Sequence, residues 1–479
     1  MKLIKKILPR ILFFIFSLGC VNPVFSRQIS NEDFTGTWLG KLKVPSMELR
    51  IVFRIELKDG KLTALLDSPD QGVKGIPVSD IIVKDDSISL IAGSIGGRFE
   101  GKYFEDSTKL IGVWKQGGGS FPLEMSKVEN IEEPKHAQEP KPPYPYNSED
   151  ITFENKSTGI KLAGTFTFPK EGNNFPAVVL ITGSGPEDRN ETVFGHKPFL
   201  IISDYLTKNG IAVLRFDDRG VAGSTGDFSK ATSLDFASDA EAAVDYLKTR
   251  KEINKKEIGL IGHSEGGLIA PMVASKDKDI AFIVMLAGPG LPGNKLLLLQ
   301  SELIMKSEGE KPEKIESTNN LNKKIYSLVD TTTDTTIIHQ RLTELLEKYY
   351  DSLSEESKKE IPNLKMFIEQ QFRTLTSPWF RFFLNYDPRP ALEKVKCPVL
   401  ALNGGNDLQV PAKQDLNEIE KALKEGGNKN YKIVELPGLN HLFQTSNTGK
   451  ISEYAKIEET FSPKALEIMG DWIKKVVKE

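Results

Sequence analysis

An α/β architecture is what this sequence predicts: a mostly parallel sheet with a helical cap insertion, preceded by a small antiparallel β domain. Three observations carry it. From residue 149 onward, short continuous apolar runs alternate with segments of helical periodicity, as in strands covered on both faces. Between residues 30 and 128, apolar residues alternate one by one with polar ones between glycine-rich turns, the mark of antiparallel strands with one face in water. A proline-rich stretch separates the two patterns.

At 479 residues the chain exceeds one ordinary domain. Hydrophobic content of 39% and charged content of 27% describe a globular protein. Its 63 basic and 66 acidic side chains give a net charge of −3, which offers no reason to expect a nucleic-acid partner.

Lys2, Lys5, Lys6 and Arg10 precede the apolar run 11–18, which is too short to cross a bilayer as a stable helix. Val24-Phe25-Ser26 then supplies residues tolerated at a cleavage site. Residues 1–26 are therefore expected to be a signal peptide, and the protein to be exported, periplasmic or secreted. The competing expectation is a lipid anchor, because Ser17-Leu18-Gly19-Cys20 loosely resembles the lipobox of bacterial lipoproteins. Cys20 and Cys397 are the two cysteines. Cleavage leaves one, so no intrachain disulfide is expected, and Cys397, heading an apolar run, reads as inert.

Taken in order, residues 30–128 form the antiparallel accessory domain. Leu49, Ile51, Phe53 and Ile55 alternate with polar residues, Asp59-Gly60 supplies a two-residue turn, and Leu62, Ala64 and Leu66 resume the alternation. A small barrel or sandwich fits the spacing, and no cluster of His, Asp or Glu here suggests chemistry. Residues 129–148 carry five prolines among charges, a semi-rigid linker in which His136 is expected to be exposed. The segment 149–479 is the α/β domain. It opens with an antiparallel pair at 151–154 and 161–168, followed by strands at 177–181, 211–214, 258–261, 280–286, 399–402 and 431–436. About residues 294–382 the alternation is interrupted by polar, helix-prone sequence, where a cap over an α/β active site would sit. Ser462-Pro463 opens a terminal helix.

Gly262-His263-Ser264-Glu265-Gly266-Gly267 contains G-x-S-x-G between a strand and a helix, the setting a nucleophile elbow requires. A serine hydroxyl needs a base to take its proton and an acid to hold that base. Of five histidines, His136 lies in the linker, His263 points away from the serine oxygen, His339 falls in the insertion and His196 precedes a helix. His441 follows the last strand, at the edge where open α/β sheets gather their sites. Asp407, just past strand 399–402, is the candidate acid; Asp387 competes, but no strand delivers it. The oxyanion donors expected are the backbone N–H groups of Glu265 and Ser184, with Gly185 as the alternative to Ser184.

The set Gly183-Ser184-Gly185-Pro186, Asp188-Arg189, Arg215-Phe216-Asp217-Asp218-Arg219-Gly220, Gly262–Gly267, Asn403–Asp407 and Gly438–His441 resembles the α/β-hydrolase superfamily over roughly residues 150–479. Within it the chain is most similar to bacterial exported esterases related to the serine aminopeptidase and prolyl-oligopeptidase-like branches. The resemblance implies Ser264 as nucleophile, Asp407 as acid and His441 as base, and makes Asp217–Gly220 a structural turn. It also implies that the β-rich region is an accessory domain. Thr182-Gly183 stands where many relatives have His-Gly.

The expected function is thus a serine hydrolase of carboxylic esters, with an exopeptidase or acyl-peptide hydrolase as the alternative and a catalytically silent binding protein as the third reading. The expected partner is a small ester or short acyl or peptide substrate. No organic cofactor and no metal is expected, since no convergent Cys/His/Asp cluster calls for one.

Overall fold

The structure is a computed structural model describing residues 29–44, 47–71, 73–117, 119–131, 136–358, 361 and 363–478. The signal-peptide reading of residues 1–26 and the lipid anchor at Cys20 fall outside them.

Nine strands form the first sheet: β1 (Gly36–Val44), β2 (Met47–Lys58), β3 (Lys61–Ser68), β4 (Val73–Pro77), β5 (Asp80–Lys84), β6 (Ser87–Ala92), β7 (Gly97–Phe104), β8 (Lys109–Gln116) and β9 (Gly119–Val128). Their order is β4-β3-β2-β1-β9-β8-β7-β6-β5, and every pairing is antiparallel. Asp59 and Gly60 make the β2–β3 turn with φ of 51° and 74°, the left-handed pair that a two-residue hairpin needs. The sheet rolls into a half-barrel around Trp38, Phe53, Phe99, Leu110 and Met125, open between β4 and β5. The opening has a local cause. Pro77 ends β4 without an N–H to donate, while Val78 N–H goes to Ala64 O and Ser79 N–H to Ile91 O. The connecting segment therefore bridges β3 to β6 instead of turning a hairpin.

The proline-rich stretch is not a free spacer. Gln138 donates from Nε2 to Phe461 O and accepts from Thr460 and Phe461 N–H, and Lys197 pairs with Glu139 at 2.8 Å. His136, expected to be exposed, is half-buried with its ring 4.6 Å from that of His196.

The second sheet runs β10-β11-β13-β12-β14-β15-β16-β17, from β10 (Asn147–Asn155), β11 (Ile160–Phe168), β12 (Phe175–Ile181), β13 (Ala212–Phe216), β14 (Ile253–His263), β15 (Ile283–Leu286), β16 (Val399–Gly404) and β17 (Tyr431–Leu436). It is mixed. Pairing is parallel from β13 through β12 to β17, but β11 joins both β10 and β13 antiparallel. The antiparallel edge qualifies the mostly parallel sheet expected from the apolar runs, which look alike in either direction. Alternate residues of the central strands feed two cores. Ala177, Val179 and Leu260 pack against helices Ser233–Thr249, Glu265–Ala274 and Ala412–Glu425. Val178, Leu180 and Ile261 pack against Pro198–Lys208 and Pro463–Val476.

After β12 the chain crosses to β13 on one side and then returns to β14 on the other. That reversal leaves a crevice outside the carboxyl ends of β12 and β14. Between β15 and β16, helices Gly293–Ser307, Pro312–Thr331, Thr335–Ser352, Leu364–Thr376 and Pro378–Asn385 build an insertion with its own core of Val329, Ile338, Leu342 and Leu384. Among the described residues no helix is long and apolar enough to cross a membrane.

Candidate active site

Strand β14 delivers His263, and helix Glu265–Ala274 starts immediately after Ser264. Ser264 itself sits at φ 51° and ψ −116°, a conformation that L-residues rarely adopt. The turn is closed by backbone bonds from Ser264 N–H to Leu286 O and from Gly267 N–H to Ser264 O. Its glycines are sterically required: a Cβ at Gly262 would stand 1.9 Å from Gly266 O, and one at Gly266 2.1 Å from Ile181 O. The serine is thereby pushed out at the crevice mouth, half-buried.

His441, on the loop after β17, is nearly buried, and its Nδ1 lies 2.7 Å from Asp407 Oδ2. Asp407 Oδ1 accepts from Gln409 and Val410 N–H at 2.8 and 2.9 Å. A carboxylate held by three donors is an acceptor only, so it fixes the proton on His441 Nδ1 and leaves Nε2 with a lone pair. Among the described hydrogen bonds none joins Ser264 to His441. What links their loops is His263, whose Nε2 donates to His441 O at 2.9 Å and whose ring centroid is 4.9 Å from that of His441.

The sequence alone points that histidine away from the serine oxygen and gives it no partner. Its Nδ1 meets Glu191 Oε1 at 2.8 Å, and the same oxygen accepts Gly183 N–H at 2.9 Å. Glu191 and His263 therefore tie the loop after β12, the elbow and the His441 loop into one buried chain. Burial pushes the His263 pKa down, but the Glu191 carboxylate and the His441 carbonyl outweigh it and hold the imidazole above its usual 6.5.

The loop after β12 is clamped by acids. Thr182 Oγ1 donates to Asp218 Oδ1 at 2.7 Å, Glu187 N–H to Asp218 Oδ2 at 3.0 Å, and Gly183 N–H also reaches Glu187 Oε2 at 3.1 Å. Gly183 N–H is thus engaged, and Ser184 and Gly185 (φ 116°) follow at the rim. A Cβ on Gly183 would lie 3.4 Å from that of Ser264, which puts this loop against the serine. Glu265 N–H opens its helix, where the first donors have no intrahelical acceptor. Burial raises Asp218 to about 8, against the pull of its hydrogen bonds, and lifts Glu187 well above the usual carboxylate range.

The Glu265 side chain was also missed. It is buried, accepts Ser233 Oγ–H at 2.5 Å, and receives Trp379 Nε1–H on both oxygens at 2.8 and 2.9 Å. Trp379 belongs to the helix Pro378–Asn385 of the insertion, so this carboxylate fastens the insertion to the residue beside the candidate nucleophile. Burial raises it to about 7. The sequence signal was present in the acid-rich run 187–191 and the Glu of the elbow, but nothing in a sequence says which acids are buried.

The competing candidates have other partners. Asp387 forms a fork with its neighbour Arg389. His196 is buried between Thr460 Oγ1 and Tyr454 O, where burial and His136 lower it to about 4. His339 meets Glu369 within the insertion. Asp217 accepts Arg189 through Nε and Nη2 and also Gly223 N–H, as a turn-forming residue does. Burial pushes the Cys397 thiol up to about 12. Among the described residues, no group of three or more His, Cys, Asp or Glu could hold a metal.

This chain is similar to esterase EstD of Thermotoga maritima, at 29% identity over 309 residues. The match spans 64% of this chain and 64% of EstD, so just under two thirds of the relative is represented. Among solved structures, the Pyrococcus furiosus esterase Pf2001 superposes with a TM-score of 0.42 at 17% identity, over 70% of this chain and 91% of the other. The hypothetical protein PA2218 of Pseudomonas aeruginosa also gives 0.42, at 15% identity over 73% and 99%. Residues 158–434 match the X-Pro dipeptidyl-peptidase (S15 family); this is more than half of the sequence, and the chain belongs to that family of α/β-hydrolases.

Proposed function

We propose that the protein is a serine hydrolase that cleaves carboxylic esters through an acyl-enzyme on Ser264. The observation that carries the proposal is the 2.7 Å bond from His441 Nδ1 to the buried Asp407 carboxylate, beside a serine held at φ 51° on a glycine-lined elbow. His441 Nε2 takes the Ser264 proton as Oγ attacks the acyl carbon, and Asp407 steadies the resulting imidazolium. The N–H groups of Glu265 and Ser184 receive the oxyanion. His441 then protonates the departing alcohol, and water repeats the sequence to release the acid. This chemistry calls for no metal or organic cofactor.

The ester preference rests on the similarity to EstD and on the acids around the site. Glu191, Asp218 and Glu265 are committed to internal donors and Glu187 shares Gly183 N–H with Glu191, whereas an exopeptidase needs a carboxylate for a free amino terminus. The family's X-Pro dipeptidyl-peptidase description favours that exopeptidase as the second reading. The helical insertion serves as a cap in both readings, through Trp379. The basic and apolar residues 2–18 support export.

Purified residues 27–479 and the Ser264→Ala variant, assayed on nitrophenyl esters of graded acyl length and on prolyl and aminoacyl arylamides, test the proposal. Ester turnover that disappears in the variant is expected. Faster arylamide cleavage moves the protein to the peptidase reading, and turnover unchanged by Ser264→Ala removes the nucleophile assignment.

A further inference from the structure

A cavity of about 870 Å³ lies between the hollow of the β half-barrel and the helix Leu364–Thr376 of the insertion. Leu42, Ile51, Leu66 and Trp114 wall it from the sheet, and Ile361 and Phe367 from the insertion. It lies at the end of the half-barrel where the β1–β2, β3–β4, β6–β7 and β8–β9 connections gather, with the apolar inner face of the strands turned toward the helix. Its size and largely apolar lining are those of a small-molecule site. Barrels of eight or so strands hold one small ligand in the same way.

Charge says which ligand. In a chain with 27% charged residues, the described lining contains no Asp, Glu or Lys, and its one charged side chain is Arg373. Arg373 lies in the last turn of the helix, is exposed, and has no ion pair among the described residues. Of the lining amides, Gln116 bonds Ile95 O and Trp114 Nε1–H, Asn363 caps Met366 N–H, and Gln370 stands one turn before Arg373 on the same helix. The guanidinium is therefore the one charged group in the described lining that can meet a polar head, with the Gln370 amide beside it. The hollow is concave and enclosed from two sides, which suits a chain and not a flat bilayer. Its walls are side chains and not a free strand edge, so an extended peptide would leave its backbone groups unpaired there.

We infer that this cavity binds a monomeric linear alkyl carboxylate, its chain inside the half-barrel and its carboxylate on Arg373. The site is separate from the Ser264 crevice and does not depend on the hydrolase reading. A hydrolase of carboxylic esters releases acids of this class, so the ligand is chemically a product of the proposed reaction.

The test is calorimetric titration of the full chain carrying Ser264→Ala with dodecanoate, octanoate and dodecyltrimethylammonium, repeated with Arg373→Glu and Val73→Glu added. Both added changes are at exposed positions on opposite walls of the cavity, so they leave the two cores intact. One saturable dodecanoate site is expected, with octanoate weaker and the cationic amphiphile weakest. Loss of the charge-assisted contact in Arg373→Glu should weaken dodecanoate by about tenfold or more, and Val73→Glu should weaken it as well. Absence of saturable binding overturns the inference, as does dodecanoate affinity equal in all three proteins. Binding to phosphatidylcholine vesicles without dodecanoate binding overturns it in favour of a membrane surface. Failure of Ser264→Ala to abolish ester turnover bears on the catalytic proposal alone.

Discussion

Replacing Glu265 by Gln should shift the stability balance toward the variant as the pH rises from acid through neutrality. The carboxyl is fully enclosed by Ser233, Trp379 and the elbow helix, and burial raises its pKa from 4.5 to about 7, against the lowering effect of its hydrogen bonds. A group that binds its proton more tightly in the folded state contributes stability that is fully present below its unfolded value. That stability is lost as pH rises through the folded value. The window is thus pH 4.5 to about 7. At about 1.4 kcal/mol for each tenfold change in proton affinity, the loss amounts to about 3 kcal/mol above neutrality. Gln keeps the shape and still accepts from Ser233 and Trp379, but it has no charge to bury. Its amide N–H faces a donor, which adds a cost of about 1–3 kcal/mol that does not vary with pH. Urea unfolding of both proteins, followed by circular dichroism at pH 4.5, 6, 7 and 8, isolates the pH-dependent part as the change in their stability difference. A difference that moves toward the variant by about 3 kcal/mol between pH 4.5 and 8 is expected. A difference constant across the range would refute the reasoning, because the buried carboxyl would then carry no ionisation penalty.

Asp407→Asn removes the acceptor that sets the His441 tautomer; kcat on a nitrophenyl ester should fall by about 10³–10⁴ with KM changed little, and a loss confined to KM would contradict it. Gly266→Ala places a methyl 2.1 Å from Ile181 O, so destabilisation at or above the usual overpacking cost of about 1–3 kcal/mol is expected, and an unchanged thermal midpoint would show that the elbow can give. Glu191→Gln takes away the charge that keeps His263 above 6.5. The parent's advantage, about 1.5–3 kcal/mol for a charge-assisted bond, should be full below pH 6.5 and shrink as the pH rises past the folded value. Denaturation at pH 6 and 9 reads this, and an advantage that grows with pH would reverse the assigned sign.

Several features were legible in the sequence because they depend on neighbours in the chain. The elbow is one, since strand, glycine-flanked serine and helix follow within a dozen residues. The β2–β3 hairpin is another, written in period-2 alternation around Asp59-Gly60. Asp407 and His441 were readable from their places just after apolar runs, because a parallel sheet sends such loops to one edge. The direction of β11 against β13 was not readable, since an apolar run carries no polarity. The open edge of the half-barrel was also hidden, because it depends on where two backbone N–H groups find acceptors.

By itself, then, the sequence determined most of the strands, the serine in the strand-to-helix turn, and an acid and a histidine on loops that follow parallel strands. Only the tertiary structure decided which acids are buried and what they hold. Glu191 meets His263 across 72 residues, and Trp379 meets Glu265 across 114. Those contacts follow from how the loops and the insertion pack over the crevice, and local patterning holds no record of separations that long. The pKa shifts follow from the same packing, because burial, and not residue type, sets the cost of a charge.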